Sequence, residues 1–204
     1  MSDTWSIVHT ERRALVEDLS RLTDAQWEHP SLCAGWSVHD VAAHLVDNAL
    51  ATPVGVVRAM VRAGFDFDRQ NDRGVRRQRG ATPSETLERL DRVVGRTSGP
   101  PAPLDSRLVE EVLHGEDIRR PLGIHHEYSP EAVLRSLRYQ ARTPGALGGG
   151  KDVARQVGLH ATDADFSTSD GPEVAGPALS LLMAISGRTV ALEDLHGPGV
   201  AVLR

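Results

Sequence analysis

Cysteine is almost absent from this chain. Cys33 stands alone, so no intramolecular disulfide can form, and the composition fits a reducing compartment. Aromatic residues are scarce too: three Phe, two Tyr and three Trp in 204 residues leave Leu, Val and Ala to carry most of the packing. No apolar run approaches the roughly 20 residues needed to span a bilayer. The N-terminal "MSDTWSIVHTERR" lacks the basic start and apolar stretch of a signal peptide. Basic residues do not prevail either, and a formal charge of −5 argues against nucleic-acid binding through a general basic surface. These absences predict a soluble cytoplasmic protein without membrane or nucleic-acid partners. The length suffices for one large core, or for a domain of about 140 residues and a small second one.

What is present reads first as helices. From Thr4 to Leu22, residues Ile7, Val8, Leu15, Val16, Leu19 and Leu22 recur at three- and four-residue intervals. Pro30 and Gly35 interrupt the pattern, and Ser37 with Asp40 three residues on can cap a second helix that buries Val41, Ala42, Leu45, Val46 and Ala49. Pro53 suits the first turn of a third helix, with Val54, Val57, Met60 and Val61 as its apolar stripe and Gly64 as its end. The charged "DFDRQNDRGVRRQRG" reads mostly as loop. Thr82, Pro83 and Glu85 start a fourth helix with Leu87, Leu90, Val93 and Val94 on its buried face. After the breaker "TSGPPAPLD" comes a helix over "VEEVLHGEDIRRPLG", and a last one runs from Ser129 to about Arg142. Such a series suggests a bundle.

Glycine-rich "TPGALGGGKD", residues 143–152, then reads as a linker between a helical domain (1–143) and a small C-terminal one (153–204). In the latter, "VARQVGLHAT" is a strand candidate, "SDGPEV" a turn, "GPALSLLMAISG" a helix and "GVAVL" a closing strand. The fold class expected is α+β.

Glu110 and His114 are four apart, so on a helix they project from one face and could share a metal, with carboxylate and imidazole both suitable for zinc. The alternative is a solvated pair, because Val109, Val112 and Leu113 cluster on the opposite side and only Ile118 hints at cover. A third ligand must come from another helix. His44 is the best placed of nine histidines, with Asp40 and Asn48 one turn to either side as supporting partners. The bland reading of His44 is a partly buried histidine paired with Asp40 or Asp47. His39 projects elsewhere, and His125 and His126 fall in a loop. Arg73, Arg76, Arg77 and Arg79 form a basic run, read as a solvated loop or else an anion contact beside a cleft. "DADFSTSDG" lacks the calcium-loop pattern and its terminal Glu. Cys33, without an evident histidine partner, reads as a small buried residue.

Three segments, "LTDAQWEHPSLCAGWSVHDVAAHLVD", "VEEVLHGEDIRRPLG" and "GPEVAGPALSLLMAISGR", resemble in order and spacing the mycothiol-dependent maleylpyruvate isomerase family of actinobacteria, one of the DinB-like metalloproteins. The resemblance spans about Trp5 to Leu203 and implies a DinB-like four-helix metal-binding bundle followed by a small α/β domain. It implies a metal, normally zinc or else another divalent ion, on His44, Glu110 and His114, with Glu111 a bystander. It further implies a functional arginine matched by Arg188, and mycothiol as the thiol cosubstrate. Asp117, Arg119 and Arg120 are then cofactor contacts or structural ion pairs, alternatives that the sequence leaves open.

The expected activity is a zinc-dependent enzyme, monomeric or homodimeric, acting on a small electrophile. The bound thiol is held as thiolate, attacks carbon, and yields S-transfer or, after bond rotation and thiol release, cis–trans isomerisation. Arg188 would hold a substrate carboxylate or stabilise developing charge. The competing expectation is a non-catalytic metal- or small-molecule-binding stress or regulatory protein, and a weaker one is a carrier of an apolar ligand.

Overall fold

The structure, a computed structural model, describes residues 3–204 and is mostly helical with one small sheet. It divides into two compact units, Met1–Glu127 and Tyr128–Arg204.

The first unit holds α1 (Thr4–Leu19), α2 (Asp24–Trp27), α3 (Val38–Leu50), α4 (Pro53–Ala63), α5 (Phe67–Gln78), α6 (Pro83–Val93) and α7 (Asp105–Arg119). Helix α3 starts where its sequence demands: Ser37 Oγ accepts from the Asp40 amide at 3.3 Å while the Ser37 amide donates to Asp40 Oδ2 at 2.9 Å. Thr82 caps α6 by accepting from the Glu85 amide, the Glu85 carboxylate reaches back to the Ala81 amide, and Pro83 opens the helix. One core joins α1, α2, α3, α6 and α7 through Leu15, Leu19, Trp27, Val41, Leu45, Leu90 and Ile118. Each such side chain contributes about 1.5–3 kcal/mol on burial. Helix α3 packs on α5, α6 and α7, and α1 packs on α6 and α7.

Two expectations for this unit are corrected. The charged segment read as loop is α5. Its sequence has no apolar stripe to announce it, and ion pairs and a close helix contact hold it instead. Asp66 caps it through the Arg69 amide at 2.9 Å, Trp36 Nε1 donates to Asp72 Oδ1 at 3.3 Å, and Arg77 pairs with Asp47. Gly74 lets α5 approach α3, since a Cβ there would lie 2.3 Å from Asp47 Oδ2. Two of the four arginines in the basic run thus meet acids: besides Arg77, Arg79 reaches Asp40 at 2.6 Å and Glu28 at 2.7 Å, while Arg73 donates to the Arg62 carbonyl. The second correction concerns α4, whose stripe does not join the core: Val54, Val57 and Val61 are 62, 55 and 58% exposed. Its main packing is against α5 alone.

The second unit holds α8 (Pro130–Gln140), α9 (Lys151–Ala154), β1 (Gly158–Ala161), β2 (Glu173–Gly176) and α10 (Ala178–Ile185). The strands pair in parallel, Leu159 opposite Val174, and α10 packs across α8 and the sheet. Because α8 packs on α10, the units divide ahead of α8, and the glycine-rich segment lies inside the second unit. It is an ordered turn there: the amides of Gly149, Gly150 and Lys151 donate to the carbonyls of Pro144, Gln140 and Thr143. A Cβ on Gly149 would fall 1.9 Å from the Thr143 carbonyl oxygen, which only glycine avoids. Within the strand candidate at 153–162 only Gly158–Ala161 is extended, and residues 151–154 form a helical turn. The predicted closing strand "GVAVL" is a 3-10 turn, Pro198–Leu203, because the chain pairs with β2 only at His196 and then turns away. Among the described residues, no helix is long and apolar enough to cross a membrane.

The α2–α3–α6 junction sets an acid sensitivity. His39, 1% exposed, contacts Thr86 Oγ1 at 2.7 Å and Glu28 Oε1 at 3.2 Å. Burial lowers its pKa despite Glu28. Glu28 is lowered by its hydrogen bonds from Arg79, and Asp40, pushed up by burial, is lowered further by Ser37 and Arg79. All three groups bind protons more readily unfolded than folded. Their contribution is thus complete above the unfolded values, about 6.5 for His and about 4 for the acids, and declines as pH falls below each. In thermal unfolding of chelated protein the Tm advantage of wild type over His39→Asn should shrink from pH 7 to pH 5, a difference from which the opposing contribution of the raised His114 cancels.

Candidate metal centre

Helix α7 carries the opening of the site. Of its residues, Leu108, Val112 and Ile118 are fully buried, as is Asp117, so it is enclosed on several sides and not on one stripe. Successive side chains on a helix diverge by about 100°. Glu110 and Glu111 therefore face different surroundings. Glu111, 4% exposed, pairs with Arg12 Nε at 2.8 Å on the α1 side. Glu110 turns toward α3.

There, Glu110 Oε2 lies 3.4 Å from His44 Nε2 and 3.3 Å from His114 Nε2. One donor atom from each of the three residues falls within 4.8 Å of the others. The two imidazole rings stand edge to face, centroids 4.8 Å apart at 77°. Ligands bonded at 2.0–2.2 Å in a tetrahedron sit about 3.3–3.6 Å apart, so two of these separations suit one small cation. Two neutral imidazoles and a carboxylate also form a donor set that zinc accepts.

Neighbouring groups hold each donor in place. His114 Nδ1 contacts Asp117 Oδ2 at 2.8 Å, which leaves Nε2 to face Glu110. Cys33 Sγ–H donates to the same Asp117 oxygen at 3.0 Å and lies 3.7 Å from His114 Nδ1. Behind Glu110, the Asn48 amide donates to Oε2, and buried Arg107 donates to Asn48 Oδ1 while its Nη2 lies 3.7 Å from Glu110 Oε1. The Trp36 ring packs 5.2 Å from that of His44. Burial pushes the Glu110 carboxyl up, but His114, His44 and Arg107 outweigh it and hold it well below the usual range. Burial pulls the His114 imidazole down, yet Asp117, Cys33 and Glu110 raise it well above its ordinary value.

The structure brings His44, Glu110 and His114 together, the three residues that the resemblance named. Asn48 supports the site, through Glu110 and not through His44, whereas Asp40 binds Ser37 and Arg79 instead. Asp117 is fully buried and serves His114, and Arg119, 1% exposed, donates to Asp18 at 2.8 Å, so both stand in structural pairs. Arg120 is half-buried where α7 passes into a 3-10 turn. Arg188 lies in the second unit just after α10, half-buried, with Nη1 donating to the Ser186 carbonyl at 2.6 Å. Cys33, read as a small buried residue, is half-buried and has the histidine partner that sequence did not reveal. Arg107 and Trp36 were also missed. Arg107 had a signal in its three-residue spacing from Glu110, while Cys33 and Trp36 reach the site only through tertiary packing.

Metal titration separates the two adjacent acids. Glu110→Gln should lose stoichiometric zinc binding while keeping its fold. Glu111→Gln should keep zinc but lose about 3–5 kcal/mol in urea unfolding, since it strands the buried Arg12 charge. Asp117→Asn should weaken zinc binding about 10–100-fold. Because a protonated His114 must lose its proton to bind, affinity should fall about tenfold per pH unit below its raised pKa.

Comparison with known proteins places this geometry in context. Residues 8–100 match the family model described as the mycothiol maleylpyruvate isomerase N-terminal domain. No curated protein matches the chain in sequence. Two crystal structures, of the mycothiol-dependent maleylpyruvate isomerase and of a histidine-to-alanine mutant of it, each superpose with a TM-score of 0.68 at 14% identity. Each match covers 96% of this chain and 91% of the other, and at that identity it shows a shared fold. The resemblance read from the sequence segments thus finds support in both comparisons: residues 8–100 match the mycothiol maleylpyruvate isomerase N-terminal domain model, and the chain shares its fold with the isomerase.

Proposed function

We propose that this protein is a zinc-dependent, mycothiol-using enzyme that isomerises, or transfers the thiol sulfur to, a small electrophilic substrate. The observation that carries this reading is the convergence of His44 Nε2 and His114 Nε2 on one Glu110 oxygen, at 3.4 and 3.3 Å. The packing of α3 and α1 against α6 and α7 supports reading these four helices as the DinB-like metal-binding bundle. The structural likeness to the isomerase supports the reaction class.

His44, Glu110 and His114 would hold the metal, which when bound supplies the Lewis acidity that keeps a small thiol deprotonated at neutral pH. Three protein ligands leave a fourth position for that thiol. Asp117, with Cys33 behind it, fixes the His114 ring so that Nε2 faces the centre. Asn48 and Arg107 fix the Glu110 carboxylate and favour its ionised form. Trp36 gives one side of His44 an apolar wall. Arg188 is proposed to hold a substrate carboxylate, for which a guanidinium offers a two-pronged partner; its half-buried position after α10 supports a fixed geometry.

Purified protein should carry close to one zinc per chain and catalyse mycothiol-dependent isomerisation of maleylpyruvate or conjugation of a reactive electrophile. His44→Ala should lose both metal and turnover. Arg188→Ala should keep its metal and raise KM for a carboxylate substrate. Wild-type protein that stays metal-free after zinc supplementation overturns the reading, and a full zinc complement without thiol turnover leaves only metal binding.

A further inference from the structure

The second unit contains a cavity of about 540 Å³ lined by Arg138, Arg142, Lys151 and Arg155. No other residue in the chain is lysine: the remaining basic residues are all arginine. Four of the seven basic side chains in residues 128–204 line this one cavity, although that stretch carries eight acids and is negative on balance. Arg138 lies in the last turn of α8 and Arg142 two residues past its end, while Lys151 opens α9 and Arg155 directly follows it, and all four side chains line the cavity.

Most of these cations lack a counter-charge. Arg138 donates to the Asp165 carbonyl at 2.9 Å. Arg142, Lys151 and Arg155 have no ion pair or side-chain hydrogen bond among the described residues. Two acids, Asp165 and Asp170, also line the wall, which leaves a formal excess of two positive charges. Cations near helix C-termini are favoured by the helix dipole, which accounts for Arg138, Arg142 and Arg155. It does not account for Lys151, which opens α9 at the end that disfavours a cation. Half-buried Phe166 and buried Ala154 add an apolar patch to the wall.

We propose that this cavity is a binding site for a small organic anion bearing clustered phosphate or carboxylate oxygens. Arginine forks match such groups in two-pronged fashion, and Lys151 adds a compact point charge. The volume falls within the range of small-molecule sites, about 300–1,000 Å³. Gathering like charges in a concavity is unfavourable without a ligand and focuses field on an entering anion. None of these residues is a metal candidate, so the proposal does not rest on the zinc reading.

The lone lysine makes the test specific. Full-length protein is labelled with trinitrobenzenesulfonate, and the rate at Lys151 is read by peptide mass spectrometry, with inorganic phosphate, malonate or chloride at matched ionic strength. Phosphate, malonate or both should slow labelling saturably, approaching tenfold at about ten times the half-protecting concentration, as single-site occupancy requires. Chloride should not. Protection by phosphate alone assigns a phosphate-bearing ligand, and protection by malonate alone assigns a carboxylate. Arg142→Ser with Arg155→Ser should abolish protection, and Asp165→Asn with Asp170→Asn, which removes the opposing charges, should strengthen it. Protection no greater than chloride's, or unchanged in the arginine variant, or weakened in the aspartate variant, overturns the proposal.

Discussion

Burial of α7 on several sides obliges its charged residues to find partners, because a buried charge left alone costs several kcal/mol. Glu111 is met by Arg12, Asp117 by His114 and Cys33, and Arg119 by Asp18, each from a different direction. Glu110 is met by two imidazoles, an amide and a guanidinium. The candidate metal centre is thus one of several solutions to the same electrostatic problem along a single helix. It differs from the Glu111 and Arg119 pairs in that two of the partners are imidazoles, Lewis bases able to share a cation with the carboxylate, a capacity that the Asp117, His114 and Cys33 set has as well.

The charges around Glu110 are also balanced by the protein's own groups. Without a cation, the ionised Glu110 and protonated His114 neutralise each other, and Arg107 adds a further favourable charge. The apolar cluster of Leu45, Leu90, Ile118 and their neighbours supplies the core. On the proposed function, a metal would replace a proton among groups that already balance one another, unlike a zinc finger, in which the metal supplies the folding energy. Cys33 and Asp117 make that replacement directional by occupying His114 Nδ1.

Much of this was legible from local rules. Ser37, Thr82, Pro53 and Gly64 mark helix ends by chemistry that needs no tertiary information, and all four act as their sequence predicts. The four-residue spacing of Glu110 and His114 placed them on one face, but periodicity alone made that face solvated. Only the resemblance to a metalloprotein family, through His44, gave it a second covered side. What stayed illegible depended on non-local partners. Helix α5 is held by Asp47, Asp40 and Glu28, residues that sequence distance separates from it by tens of positions. The stripe of α4 has the period of a buried face, yet period reports which residues lie together and not what covers them.

The two arginine-rich stretches show the same limit in electrostatic form. On the page of the sequence, the run from Arg73 to Arg79 is denser in charge than the scattered Arg138, Arg142, Lys151 and Arg155. Folding reverses the ranking. Two arginines of the dense run meet acids, Arg77 at Asp47 and Arg79 between Glu28 and Asp40. The scattered set converges on one cavity with more positive than negative charge on its walls. Whether a basic cluster is structural or available to a ligand is decided by whether the fold itself delivers the counter-charge. That property belongs to the packing, and no count along the chain contains it.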